Sequence, residues 1–312
     1  MKTLLTPKLD YVFKKLFTLD VDLLIDLINS ILIIENENNH IISIDIKNPE
    51  ILPDHIKEKY IVLDILAYDN QGNHYDIEMQ ASKYFYYPKR SIYYLAKMIA
   101  SQLKSGEDYN LLEPVIGIHF LDYIENSIYT DCTYCFELRD RKHPELKYSD
   151  DLAVYIFELP KVSREDKLID LPEDERKQYE WLHFLNYAHE GGAAMQKAYY
   201  TNPMVHRAFD LLAQISDDEQ TCKDAEFREK AIRNKMFELN TARKKGREEG
   251  RKEGIEKGIK KGIELGLDLK FGEAGLKLLP EINKIDQLET LMAIHNGIRS
   301  LDSIEGLRQI YI

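Results

Sequence analysis

Residues 62–80 read VLDILAYDNQGNHYDIEMQ, and the order of apolar, turn-forming and acidic residues in this stretch decides the fold. Asn70-Gln71-Gly72-Asn73 is a strong turn between two strand-like runs, so a β-hairpin is expected. Side chains alternate between faces along a strand, which puts Asp76, Glu78 and Gln80 on one side and Tyr75, Ile77 and Met79 on the other. On the first strand Asp64 interrupts an apolar run, residues 61–63 and 65–67, of the kind that marks a buried strand. A carboxylate in that setting needs a partner, and a metal ion is one of the few good ones. Taken alone, each of these features is also common as plain structure.

Upstream, TPKLDYVFKKLFTLDVDLLIDLINSILI (6–33) opens with Thr6 and Pro7 as N-cap and first helical residue and then repeats apolar residues at helical spacing. A helix is expected over 7–33, broken near Thr18. Strand-like runs follow at 41–46, 60–68, 75–81, 115–121, 133–138 and 153–159. Between the third and fourth of them, YPKRSIYYLAKMIASQLKSG (87–106) has apolar residues every three or four positions and ends on Gly106, a natural C-cap. The order α-β-β-β-α-β plus further strands predicts an α/β domain over residues 1–160, a mixed sheet flanked by helices. Beyond it the strand pattern vanishes. Helices are expected at 173–200 and 203–215, within a helical extension spanning 161–225, and an all-α C-terminal region fills 226–312.

The composition narrows the function classes. With 42 Lys plus Arg against 54 Asp plus Glu, a formal net charge of −12, the molecule is no sequence-blind polycation, so any DNA contact must be local. Apolar residues at 44% and charged residues at 31% describe a well-packed globular protein. The longest apolar run, around 23–34, is too short to span a bilayer, so no membrane role is implied. Three cysteines and no signal-like N-terminus suggest a reducing cytoplasm. Cys132 and Cys135 form a C-x-x-C, but positions three apart on a strand face opposite ways and there is no second pair, which argues against a metal site. The nine histidines lack ligand spacing, and His119 reads as an ordinary satisfied sheet residue.

Phosphodiester cleavage requires neutralisation of charge at phosphorus and a water of lowered pKa. Mg²⁺ supplies both while binding one or two carboxylates, and Asp64 with Glu78 suits that ligation. The helix that follows carries Lys89 and Arg90. Asp64, the hairpin, Glu78-Met79-Gln80 and the helix with Arg90, Tyr93 and Tyr94 together resemble the PD-(D/E)XK nuclease superfamily. Within it the chain is most similar to the recombination-promoting nuclease, or putative transposase, family, whose N-terminal signature resembles PKLDYVFKKLF (7–17) here. The resemblance covers roughly residues 5–270.

It implies a restriction-endonuclease-like fold and a Mg²⁺-dependent DNA endonuclease, with Mn²⁺ or Ca²⁺ as substitute ions, and with Asp64 and Glu78 as metal ligands. Gln80 stands where the wider superfamily has a catalytic Lys. A neutral amide can orient water or phosphate but supplies no charge, which Lys14 or Arg90 would then provide. The resemblance also suggests that Asp10 assists at the metal and that Lys14, with Lys89 and Arg90, contacts phosphate. Asp10 and Lys14 share one face of the first helix and equally suit a surface ion pair. The rival function is a catalytically inactive, oligomeric nucleic-acid-binding or interaction protein.

From residue 226 to about 269 a charged helical segment carries Gly246, Gly250, Gly254, Gly258, Gly262 and Gly266 at every fourth position. Each interior Gly costs about 1 kcal/mol relative to Ala, so the helix needs a partner. Ile255, Ile259, Ile263 and Leu267 follow four of these glycines. The resulting seam favours close helix–helix association, expected between chains as a homo-oligomer. Residues 243–261 hold nine basic and four acidic residues, an excess that suits DNA backbone or a solvated linker. In the family resembled, some members make a short C-terminal self-fragment from an internal start, and Met236 lies just upstream of the seam.

Overall fold

The hairpin forms, and it sits inside a six-stranded sheet. In the computed structural model the described residues are 4–32, 40–47, 50–51, 61–62, 64–164, 171–190, 197 and 199–312. The chain divides into two units, Met1–Ala231 and Ile232–Ile312.

Strands β1 (Ile44–Lys47), β4 (Ile65–Asp69), β5 (His74–Gln80), β6 (Val115–Leu121), β7 (Thr133–Glu137) and β8 (Leu152–Glu158) form the sheet of the first unit in the order β1-β4-β5-β6-β8-β7. β4 is antiparallel to β1 and β5, whereas β5, β6 and β8 run parallel and β7 returns antiparallel at the edge. The turn between β4 and β5 is built by its own residues. Asp69 Oδ1 accepts the backbone N–H of Gln71 (2.8 Å) and of Asn73 (2.9 Å), an Asx-type closure. Gly72 takes the left-handed φ of 93° that the turn requires.

One sheet face packs on α1 (Asp10–Leu19), which in turn packs on α2 (Val21–Ile31). Phe13 of α1 meets Phe120 of β6 at 5.7 Å between ring centroids, and Phe120 stacks on Phe157 of β8 at 5.2 Å. The other face is covered by α3 (Tyr87–Ala100), whose Tyr94, Leu95 and Met98 are buried against Leu66 and Val115. Gly117 permits that approach, since a Cβ there would lie 3.0 Å from Leu95 Cδ1. Helices α4 (Glu173–Tyr187) and α5 (Pro203–Asp217) complete the unit. Trp181 Nε1 and Asn202 Nδ2 both donate to Asp26 Oδ2 on α2, each at 2.8 Å.

Three expectations shift. The N-terminal helix begins at Asp10 with Leu9 at its N-cap rather than at Pro7 with Thr6, and the break expected near Thr18 falls at Asp20, whose φ of −138° and ψ of 93° are extended. The run expected as one strand over 60–68 is split. β3 (Ile61–Val62) pairs with β2 (Glu50–Ile51) in a separate two-stranded sheet, and Asp64 occupies a bend before β4, while residues 60 and 63 lie outside the described ones. The helix expected over 173–200 ends at Tyr187, just before the helix-breaking Gly191-Gly192 pair in the sequence; residues 191–196 and 198 lie outside the described ones.

In the second unit the long helix α6 (Glu219–Leu276, begun in the first unit) runs on to a break at Gly272, where φ is 60° and ψ −145°. The short helices α7 (Leu279–Ile282), α8 (Leu288–Ser300) and α9 (Ile304–Arg308) then fold back on it. Ile263, Leu267, Leu278, Ile282, Leu291, Ile294, Ile298 and Leu307 form their shared core. The glycine seam is divided. A Cβ on Gly262 would meet His295 at 3.2 Å and one on Gly266 would meet Ile298 at 3.1 Å, so these two glycines receive α8 of the same chain. Gly246, Gly250, Gly254 and Gly258 face open space. Among the described residues no helix is long and apolar enough to cross a membrane.

Candidate active site

The bend before β4 and the middle of β5 bring Asp64 and Glu78 to the same end of the hairpin. Asp64 Oδ2 accepts the backbone N–H of Met79 at 2.9 Å, so its position is set by the adjacent strand. Burial raises its pKa to about 6, with the charges of Asp10 and Asp76 adding to the effect and the Met79 bond and Arg90 opposing it.

As period-2 alternation requires, Asp76, Glu78 and Gln80 share the face of β5 beneath α3, and all three are buried. Glu78 Oε2 accepts from Gln80 Nε2 at 2.8 Å and from Arg90 Nη2 of α3 at 2.9 Å. Even with that guanidinium beside it, burial and then the Asp76 charge lift Glu78 to about 8. Arg90 itself is enclosed by the rings of Tyr84, Tyr87 and Tyr94, 5.0 to 5.6 Å from their centroids.

Asp76 is fully buried, and neither of its carboxylate oxygens has a hydrogen-bond partner among the described residues. Burial raises its pKa to about 7. His119 Nε2 lies 3.5 Å from Asp76 Oδ2, but burial drags the imidazole down to about 4, so it is neutral near pH 7 and the contact is no ion pair. Both ring nitrogens of His119 also lack a hydrogen bond among the described residues. The sequence-based expectation of a satisfied sheet histidine is therefore corrected: His119 is buried, opposite Glu78 in the β5–β6 register, and unsatisfied.

Of the residues singled out from the sequence, Asp64, Glu78, Gln80 and Arg90 are brought together. Asp10 acts on Asp64 through its charge, but its carboxylate is gripped by Arg228, whose Nε lies 2.9 and 3.0 Å from its two oxygens. The Asp10–Lys14 ion pair is not formed. Lys14 is half-buried, and its ammonium has no hydrogen bond or ion pair among the described residues. Lys89 is exposed, with its Nζ 5.6 Å from the Tyr86 ring, and makes no polar contact with the carboxylates. Cys132, Cys135 and Cys222 form no disulfide. Three participants escaped the sequence reading, namely Asp76, His119 and Arg228. Alternation had already put Asp76 on the face of Glu78, but neither burial nor orphaned atoms can be read from a sequence.

The donor set fits a hard divalent cation. Asp64 and Glu78 offer oxygens only, Glu78 has one oxygen without a hydrogen bond, and Asp76 holds two orphaned buried oxygens beside them. Carboxyls whose ionisation is opposed by burial and by one another gain most from a nearby cation. Among the described residues no group of three or more His, Cys, Asp or Glu side chains is placed to hold a metal ion. Mg²⁺ does not ask for one, since one or two carboxylates suffice and water or phosphate oxygens fill the remaining positions.

No curated protein and no solved structure matches the chain. A family model described as PD-(D/E)XK nuclease family transposase matches residues 7–242, which takes in the hairpin, α3, every strand of the sheet and Arg228. The chain belongs to the PD-(D/E)XK nuclease family transposases.

Proposed function

We propose that this chain is a Mg²⁺-dependent DNA endonuclease of low sequence specificity, acting in mobile-element recombination or in defence against foreign DNA. The observation that carries the reading is the pair of half-buried Asp64 and buried Glu78 at one end of the β4–β5 hairpin, with pKa values raised to about 6 and about 8. Asp64 and Glu78 would hold the ion. When bound, Mg²⁺ supplies charge neutralisation at phosphorus and lowers the pKa of a water.

The chain's own groups do the rest. Met79 N–H fixes the Asp64 carboxylate, and Gln80 Nε2 fixes that of Glu78, leaving the Gln80 amide oxygen to orient a water. Arg90 is the cation nearest Glu78 and supplies the positive charge that Gln80 lacks, which assigns it to the scissile phosphate. Lys14, with no partner of its own among the described residues, serves as a second phosphate contact, and Lys89 as an outer one. Asp10 tunes Asp64 by its charge. Association of copies through the glycine seam, and through a fragment starting near Met236, belongs to the same reading.

Incubation of purified protein with supercoiled plasmid tests it. Nicking that requires Mg²⁺ and stops with chelator is the expected result. Unchanged plasmid across protein and metal concentrations supports instead the inactive interaction protein.

A further inference from the structure

The stretch of α6 from residue 237 to 255 is exposed at every position and packs against nothing described. Residues 243–261 within and just beyond it hold nine basic and four acidic side chains, in a chain of net charge −12. At roughly 100° of turn per residue, one sector of the helix carries basic charge only, while Lys245, Lys252, Lys257 and Lys260 share the remainder with the four acidic residues. Arg243, Lys244, Arg247, Arg251 and Lys261 fall within one sector about 100° wide, and Glu248, Glu249, Glu253 and Glu256 fall outside it.

Ion pairing sharpens the division. Glu249, Glu253 and Glu256 pair along the helix with Lys245, Lys257 and Lys260, which lie outside the basic sector as well. The five basic side chains inside the sector have no hydrogen bond or ion pair among the described residues. A helix face that is merely solvated gains from alternating signs, and the basic sector forgoes that gain while the rest of the helix takes it.

We propose that this basic face of α6 docks the phosphate backbone of duplex DNA, independently of the site around Glu78. It spans roughly 27 Å, at about 1.5 Å per residue, and faces a partner carrying one charge per ~1.7 Å. Its contacts are to phosphate alone, so it adds affinity without sequence preference. The inference rests on the DNA endonuclease reading for its choice of polyanion.

The test compares the full chain with its R243Q/K244Q/R247Q/R251Q variant, which keeps helix propensity while removing four charges. Binding to a 30-base-pair duplex is measured by fluorescence anisotropy in EDTA over a range of salt, with cleavage suppressed. The expected result is weaker binding and a plot of log K against log salt that is less steep by about 3 to 4, near 0.9 per lost phosphate contact. Equal affinity and slope in the two proteins, or no duplex binding by the unmodified chain, overturns the proposal. So does a variant whose main change is its elution volume on gel filtration, since the face then pairs copies of the chain. Binding that depends on these four residues in a protein that never nicks plasmid upholds this inference and defeats the nuclease reading alone.

Discussion

Asp64, Asp76 and Glu78 each bind a proton more tightly in the folded chain than in the unfolded one, where their values are near 4. Between pH 4 and pH 8 the ion-free folded state therefore holds more protons than the unfolded state, and stability falls as pH rises. The contribution is fully present below about pH 4 and gone once pH has passed the folded values of about 6, 7 and 8. A bound divalent cation replaces the missing protons. Calorimetry should show a Tm that drops from pH 5 to pH 8.5 in EDTA and a Mg²⁺-induced rise that is larger at the higher pH. An identical rise at both would mean that these carboxyls do not hold the ion. Asp64→Ala and Glu78→Ala should each lower plasmid nicking by ~10²-fold or more, the scale on which loss of one transition-state electrostatic contact is felt. Both should fold, because each relieves crowding among like charges. The gain in Tm at pH 8 should be smaller for Glu78→Ala, which leaves the half-buried Arg90 without its carboxylate.

At the scale of the element, the glycines of α6 separate into groups with opposite expected responses. Gly250→Ala meets open space, so it should add about 0.8 kcal/mol of helix stability, visible as raised helicity by circular dichroism. Gly266→Leu drives a side chain into Ile298 and should cost about 1–3 kcal/mol in urea unfolding. Gly272→Ala forces a Cβ into a backbone region open mainly to Gly and should cost on the order of 1–3 kcal/mol. The hairpin and its acidic face were legible because turn chemistry and period-2 alternation are local signals, complete within residues 64–80. The grip of Arg228 on Asp10 spans 218 positions and leaves no local trace. The glycine period was legible as a seam, but the partner of its last two glycines is set by the fold-back after Gly272, which makes Gly262 and Gly266 intramolecular. Asp64 was expected within a strand because apolar neighbours on both sides mimic one. The actual break between β3 and β4 puts its carboxylate on the Met79 N–H instead.

For the whole molecule, the two units have separate cores. All eight buried residues of the C-terminal cluster lie between Ile263 and Leu307, so a fragment from Met236 to Ile312 contains that core entire. Such a fragment should be helical in isolation and melt cooperatively in circular dichroism, and a featureless unfolded spectrum would show that the unit depends on the rest of the chain. Residues 237–255 of α6 are held only by contacts within the helix, its i→i−4 bonds and exposed ion pairs such as Lys245–Glu249, with Gly246, Gly250 and Gly254 weakening the ladder. Their amide protons consequently open without waiting for either core to unfold. Deuterium enters this stretch within the time that β5 and α8, at the heart of their units, remain protonated, so α6 carries a fast-exchanging centre between its own packed stretches.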